Sequence, residues 1–247
     1  MNPTVPGLLA SVADLREMEH ARVGGADIVD LKQPAFGALG AWSTEALTAA
    51  VMLWNAWGDP FDDTRRPTLS ATAGDQPMVP ALLCAAAERV AQTGVPLVKV
   101  GLSRSPHMNE CVAALAPLAG RVRLIGVLFA DEGPDFGVIP ALGRAGFAGV
   151  MIDTADKKAG PLTTHLDPLT LGQFVAEARR HGLITGLAGS LRLEDIPLLV
   201  GVGADYLGFR GALCEGGRTG ALDPARLGQV HARLREPGDL RRPGREG

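Results

Sequence analysis

Lysine is nearly missing from this chain: its 247 residues contain four, Lys32, Lys99, Lys157 and Lys158, against twenty arginines. Positive charge is therefore left to arginine, whose guanidinium stays protonated, whereas a desolvated lysine can shed its proton and act as a nucleophilic amine. Codon bias in a GC-rich genome accounts for the scarcity but not for the placement. All four lysines fall at or just after runs that read as buried strands, at 27–32, 97–102 and 150–158.

Other shortages narrow the function classes. Aromatic residues make up 4% of a chain that is 46% hydrophobic, so the core must be built from Ala, Val, Leu and Ile. No stretch approaches the roughly 18 uninterrupted apolar residues of a membrane span, so no membrane partner is expected. The net charge is −3 with no basic patch, which argues against nucleic acid as a partner. Three widely spaced cysteines (Cys84, Cys111 and Cys214) suit a reducing cytoplasm better than a disulfide framework. The first residues carry no basic n-region, so a signal peptide is not expected and the localisation is read as cytoplasmic. Five scattered histidines show no metal-ligand spacing; neither a metal nor a cofactor is expected.

What is present is a regular metre. Strand-like runs at 8–12, 26–32, 67–71, 97–102, 122–129, 149–153, 183–188 and 204–209 alternate with helical patterns at 13–23, 43 or 44 onward, 78–92, 106–118, 134–144, 168–180, 194–200 and 224–235. Near-continuous apolar strands separated by helices imply parallel strands covered on both faces. Eight such units in about 250 residues predict an α/β fold, a single (β/α)8 TIM barrel over residues 1–236. An open doubly wound sheet is the alternative, disfavoured because no G-x-G-x-x-G follows the first strand. Residues 57–66 stand outside the metre and read as a surface or oligomer contact; the Pro/Gly/Arg-rich 237–247 reads as a disordered tail. A barrel this apolar is expected to be a homo-oligomer.

The active end of such a barrel is the C-terminal end of its strands, where the unusual polar residues gather. Alternation puts Asp30 and Lys32 on one side of the second strand, with Val29 and Leu31 on the other. Lys99 interrupts the apolar fourth strand, and a charge there is costly unless paired or aimed into a polar site. Asp153 closes the sixth strand, with Lys157 four residues on. Strands two, four and six share layers inside a barrel, so Lys32, Lys99 and Asp153 are expected to converge. A free amine among them would form an iminium with a carbonyl, and the other groups would move protons. The competing reading is a buried Lys99–Asp153 pair that only sets packing. A second constellation, Gly186-Leu-Ala-Gly189-Ser190 with Gly208-Phe-Arg210-Gly211, lies after strands seven and eight, where barrels commonly bind phosphate.

These motifs resemble those of the (5-formylfuran-3-yl)methyl phosphate synthase family of methanofuran biosynthesis. The resemblance spans about residues 7 to 235 and rests on 24–34 with 37–40, on 98–102, on 149–155 with Lys157, and on 186–190 with 208–211. It implies that two molecules of glyceraldehyde 3-phosphate are condensed into one phosphorylated furan aldehyde, with loss of phosphate and water and without a cofactor. By the same resemblance, Lys32 would form the Schiff base, Lys99 would donate and accept protons, and Asp153 and Lys157 would assist. Asp30, Gly189, Ser190, Arg210 and Gly211 would serve substrate or phosphate binding, with Arg104 or the loop after Lys32 as candidates for a second phosphate. Another Schiff-base aldolase or lyase acting on a sugar phosphate, or a silent barrel that binds a phosphorylated ligand, are the alternatives.

Overall fold

Eight short apolar runs become the strands of a closed parallel barrel in the computed structural model, which describes residues 5–58 and 66–236. They are β1 (Gly7–Val12), β2 (Ile28–Leu31), β3 (Thr68–Thr72), β4 (Leu97–Gly101), β5 (Arg123–Phe129), β6 (Gly149–Asp153), β7 (Ile184–Leu187) and β8 (Tyr206–Phe209). Each pairs with the next, and β8 returns to β1 with Tyr206 opposite Gly7. Alternation sorts the side chains: Val29, Leu31, Val98, Val100, Val150 and Ile152 face the helices, while Leu97, Ile125, Val127, Phe129 and Met151 fill the interior.

The helices are α1 (Leu15–Val23), α2 (Thr44–Ala56), α3 (Pro80–Ala91), α4 (Met108–Ala119), α5 (Ile139–Arg144), α6 (Leu162–His165), α7 (Pro168–Arg180), α8 (Ile196–Val202) and α9 (Pro224–Arg235). Their starts follow capping chemistry. Asp14, Ser43, Asp167 and Asp223 each accept a main-chain N–H from the first turn, a contact worth about 1 kcal/mol. Pro80, Pro168 and Pro224 occupy the first helical position, where no donor is lost. Asp14 as a cap moves the start of α1 two residues past the expected Ala13.

Three features depart from the expected metre. The link between β6 and α7 contains the single-turn α6. Past β8, a 3-10 turn at Gly211–Leu213 leads into a bridge between Cys214 and Leu222. The loop after β2 folds inward, so that Leu39 is fully buried in the same interior cluster as Val127 and Phe129. Its N–H donates to Asp75, and Thr72 Oγ1 holds the Gly40 carbonyl at 3.0 Å. All but the flanks of segment 57–66, and all of 237–247, lie outside the described residues. No helix among the described residues is long and apolar enough to cross a membrane.

Candidate active site

A cavity of about 440 Å³ opens at the C-terminal ends of the strands, and Lys32, Lys99, Asp153, Lys157, Ser190 and Arg218 line it. Three strands deliver the first groups. Lys32 follows β2, Lys99 sits within β4 and Asp153 ends β6, so alternate strands aim them into one interior layer.

Two ionic clusters result. Lys99 Nζ lies 2.6 Å from Asp30 Oδ2, with both side chains buried. Asp30 also accepts from Ser11 Oγ at 2.9 Å and from Ser70 Oγ at 2.6 Å. Register makes this possible, because Ser11 and Ser70 stand directly across from Asp30 on the flanking strands. Burial drives the Lys99 amine below the ordinary lysine range and the charge of Lys32 adds to this, while Asp30 opposes both. In the second cluster Asp153 accepts from Lys157 Nζ at 2.5 Å and from the Thr154 N–H at 2.8 Å, with Lys32 Nζ at 3.5 Å. Burial alone would raise the Asp153 carboxyl, but the Lys157 and Lys32 ammonium groups outweigh it and hold it well below the usual carboxylate range. Lys157 also donates to the Thr154 carbonyl and to Thr154 Oγ1. Burial and the nearby Lys32 and Arg218 charges lower its own pKa against the pull of Asp153. Lys158 is exposed and takes no part.

On the opposite wall the chain turns sharply at Gly189 and Ser190, with φ of 107° and 50°. A Cβ on Gly189 would stand 2.9 Å from Thr154 Cγ2, so the site needs glycine for space as well as conformation. The N–H groups of both residues face no acceptor among the described residues, which leaves them available to an anion.

The model of the 4-HFC-P synthase family matches residues 8–231. This chain belongs to that family. A (5-formylfuran-3-yl)methyl phosphate synthase from Methanocaldococcus jannaschii is 33% identical over 233 residues, covering 87% of this chain and 94% of that one. A Methylorubrum extorquens protein, provisionally given the same synthase name, is 41% identical over 93% of this chain and 92% of its own length. Among solved structures, phosphoribosyl anthranilate isomerase from Thermococcus kodakaraensis superposes with a TM-score of 0.61 at 15% identity, over 94% of this chain and 100% of that one. That likeness shows the barrel alone.

In this barrel, eight of the nine residues singled out from the sequence line the cavity: Lys32, Lys99, Asp153, Lys157, Gly189, Ser190, Arg210 and Gly211. The ninth, Asp30, lies beneath Lys99 and is fully buried, so its carboxylate meets Ser11, Ser70 and Lys99 rather than a ligand. The Lys99–Asp153 pair of the competing reading does not form: Lys99 pairs with Asp30, and Asp153 is turned to Lys157 and Lys32. Arg210 also differs from a free phosphate fork. Its guanidinium donates to both carboxylate oxygens of Glu17 and to the carbonyls of Ser11, Arg218 and Gly220, which occupies all five of its N–H groups. Arg104 donates to the Gly133 carbonyl beside a separate surface depression and does not line the main cavity. Arg218 was not legible, because it sits in a glycine-rich loop with no periodicity to place it.

Proposed function

We propose that this protein condenses two molecules of glyceraldehyde 3-phosphate into (5-formylfuran-3-yl)methyl phosphate through a Schiff base on Lys32, in methanofuran-type cofactor synthesis. The observation that carries this reading is the state of the Lys32 amine. It opens on the cavity with Asp153, at 3.5 Å, as its one polar partner among the described residues, whereas Lys99 and Lys157 are engaged at 2.6 and 2.5 Å. A loosely held amine among other cations is the one best suited to attack an aldehyde. The synthase names of the relatives support the same product.

The product's connectivity dictates the steps. The formyl carbon, the adjacent ring carbon and a ring methine come from one triose, and the phosphomethyl carbon from the other. Carbon 3 of the first triose must therefore bond to carbon 2 of the second, which reacts as its ketone isomer. Lys32 attacks carbon 1 of the first triose and expels water to form an iminium. Loss of the carbon 2 proton gives an enamine, whose electrons expel phosphate from carbon 3. The resulting enol attacks the ketone of the second triose. Ring closure, loss of water and hydrolysis of the imine release the furan. Overall, one phosphate and two waters leave, and no electrons are gained or lost. Lys99, with its lowered pKa, takes and returns the carbon-bound protons, and Lys157 and Asp153 serve the oxygen atoms. The retained phosphate falls to the Gly189, Ser190 and Gly211 wall.

Borohydride trapping with glyceraldehyde 3-phosphate, followed by peptide mapping, tests the reading. The expected result is an adduct on Lys32 that is absent in Lys32→Ala, with furan absorbance and one phosphate released per turnover. An adduct on Lys99 would exchange the two roles. Trapping without furan or phosphate release would indicate a different Schiff-base aldolase, and no adduct with substrate bound would sink the iminium route.

A further inference from the structure

We propose that Arg218 is the clamp that receives the phosphate expelled from the first triose, an inference that rests on the Schiff-base reading above. The reaction handles two phosphates with opposite fates, so one must be held through every step and the other must leave. Main-chain N–H groups after β7 suit the retained group. The departing one needs a cation with unspent donors close to the Lys32–Asp153–Lys157 cluster.

Arg218 meets that description. It lines the cavity, and its charge acts on both Lys157 and Asp153. Among the described residues its guanidinium makes one hydrogen bond, from Nη2 to the Gly37 carbonyl at 2.7 Å, and no carboxylate stands within ion-pair distance of it. Of the other cations of the cavity, Lys32 is taken up by the Schiff base, and three more are committed to protein partners. Lys99 is paired with Asp30, Lys157 spends its donors on Asp153 and Thr154, and Arg210 is saturated. Arg192 and Arg226 lie 3.8 Å from Glu194 and Asp223 and are largely exposed.

The loop that carries Arg218 is built to hold it in place. Arg210 Nε binds the Arg218 carbonyl at 2.9 Å, Nη2 binds the Gly220 carbonyl at 2.7 Å, and the Glu215 N–H donates to the Ala221 carbonyl at 3.0 Å. The contact to Gly37 ties the tip of this loop to the segment that follows Lys32. A planar guanidinium offers two parallel N–H groups to a phosphate. As the carbon–oxygen bond at carbon 3 breaks, its electron pair stays on the phosphate oxygen, and Arg218 meets that developing charge.

The test combines phosphate release with the mass of the trapped adduct. In Arg218→Ala, turnover and phosphate release are expected to fall about 100-fold or more, the cost of removing one preorganised donor to a developing anion. The borohydride adduct on Lys32 should still form but keep its phosphate, whereas the wild type yields adduct that has lost it. Soluble guanidinium ion, or the substitution Arg218→Lys, should restore part of the release. Arg218→Gln gives the same readout if the alanine variant does not hold its fold. Phosphate release at the wild-type rate in Arg218→Ala, or a loss that neither guanidinium nor lysine relieves while phosphate-free adduct still accumulates, would overturn the clamp alone. A wild-type protein that forms no adduct on Lys32 would overturn the Schiff-base reading and the clamp with it.

Discussion

Lys99 within β4 and Lys32 just past β2 line the same cavity, yet their partners hold them differently. Asp30 holds Lys99 at 2.6 Å, and its remaining acceptor capacity is met by Ser11 and Ser70. This carboxylate keeps the amine aimed into the cavity and raises its pKa against the lowering effect of burial. Asp30→Asn preserves the shape and removes the charge, so the Lys99 pKa should fall further. A base is active when neutral, and the rising limb of the pH–rate profile that reports Lys99 should therefore move to lower pH. The rate at the plateau should drop about 10-fold or more, because a weaker base drives carbon deprotonation less well. Unchanged limbs in the Asp30→Asn profile would remove Asp30 from any role in positioning Lys99. The alternation that placed Asp30, Lys32 and Lys99 on one face was legible from the sequence. The two serines were not, because pairing them with Asp30 requires strand register, which residue periodicity does not specify.

At the scale of elements, the connection from β8 to α9 is braced by a side chain from the other end of the chain. Glu17 on α1 accepts from Arg210 and from the N–H groups of Ala13 and Leu222, and its side chain is as buried as that of Arg210. Removing one partner of such a pair strands a buried charge. Arg210→Met is expected to destabilise the protein by about 3–5 kcal/mol in urea unfolding, and Glu17→Gln in the same chain should recover part of that loss. If Arg210 instead met phosphate directly, Arg210→Met would raise KM with little change in stability. The sequence placed Arg210 at the end of strand eight but gave it phosphate as a partner, whereas its partner Glu17 lies 193 residues away. The glycine-rich turns after β7 and β8 were legible for the same local reason that they form: sharp turns and close approach favour glycine there. The loop at 215–221 was not, since its order comes from Arg210 and the flanking bridge between Cys214 and Leu222 rather than from apolar residues of its own.

Across the whole molecule, the barrel mouth is roofed on one side only. Leu39 and Phe129 fill the interior near β4 and β5, and the cavity lies on the side of β1, β6, β7 and β8. The eight-unit metre was readable because every strand is covered on both faces and so is written as an apolar run. This asymmetry was not, because a single buried leucine in a polar loop carries no period.

The confinement of three lysines to the cavity and the exposure of the fourth has a practical meaning for chemical labelling. An amine-reactive ester too bulky for a cavity of about 440 Å³ meets a single accessible lysine side chain, Lys158. Peptide mapping of the folded protein should therefore return Lys158 as the one modified lysine, with catalytic activity retained. A small aldehyde with borohydride should reach Lys32 against a background dominated by one other lysine, Lys158. The near absence of lysine from the surface makes this protein a chemoselective reagent target without any engineering, and it allows a reporter to be attached at Lys158 while the cavity amines stay free.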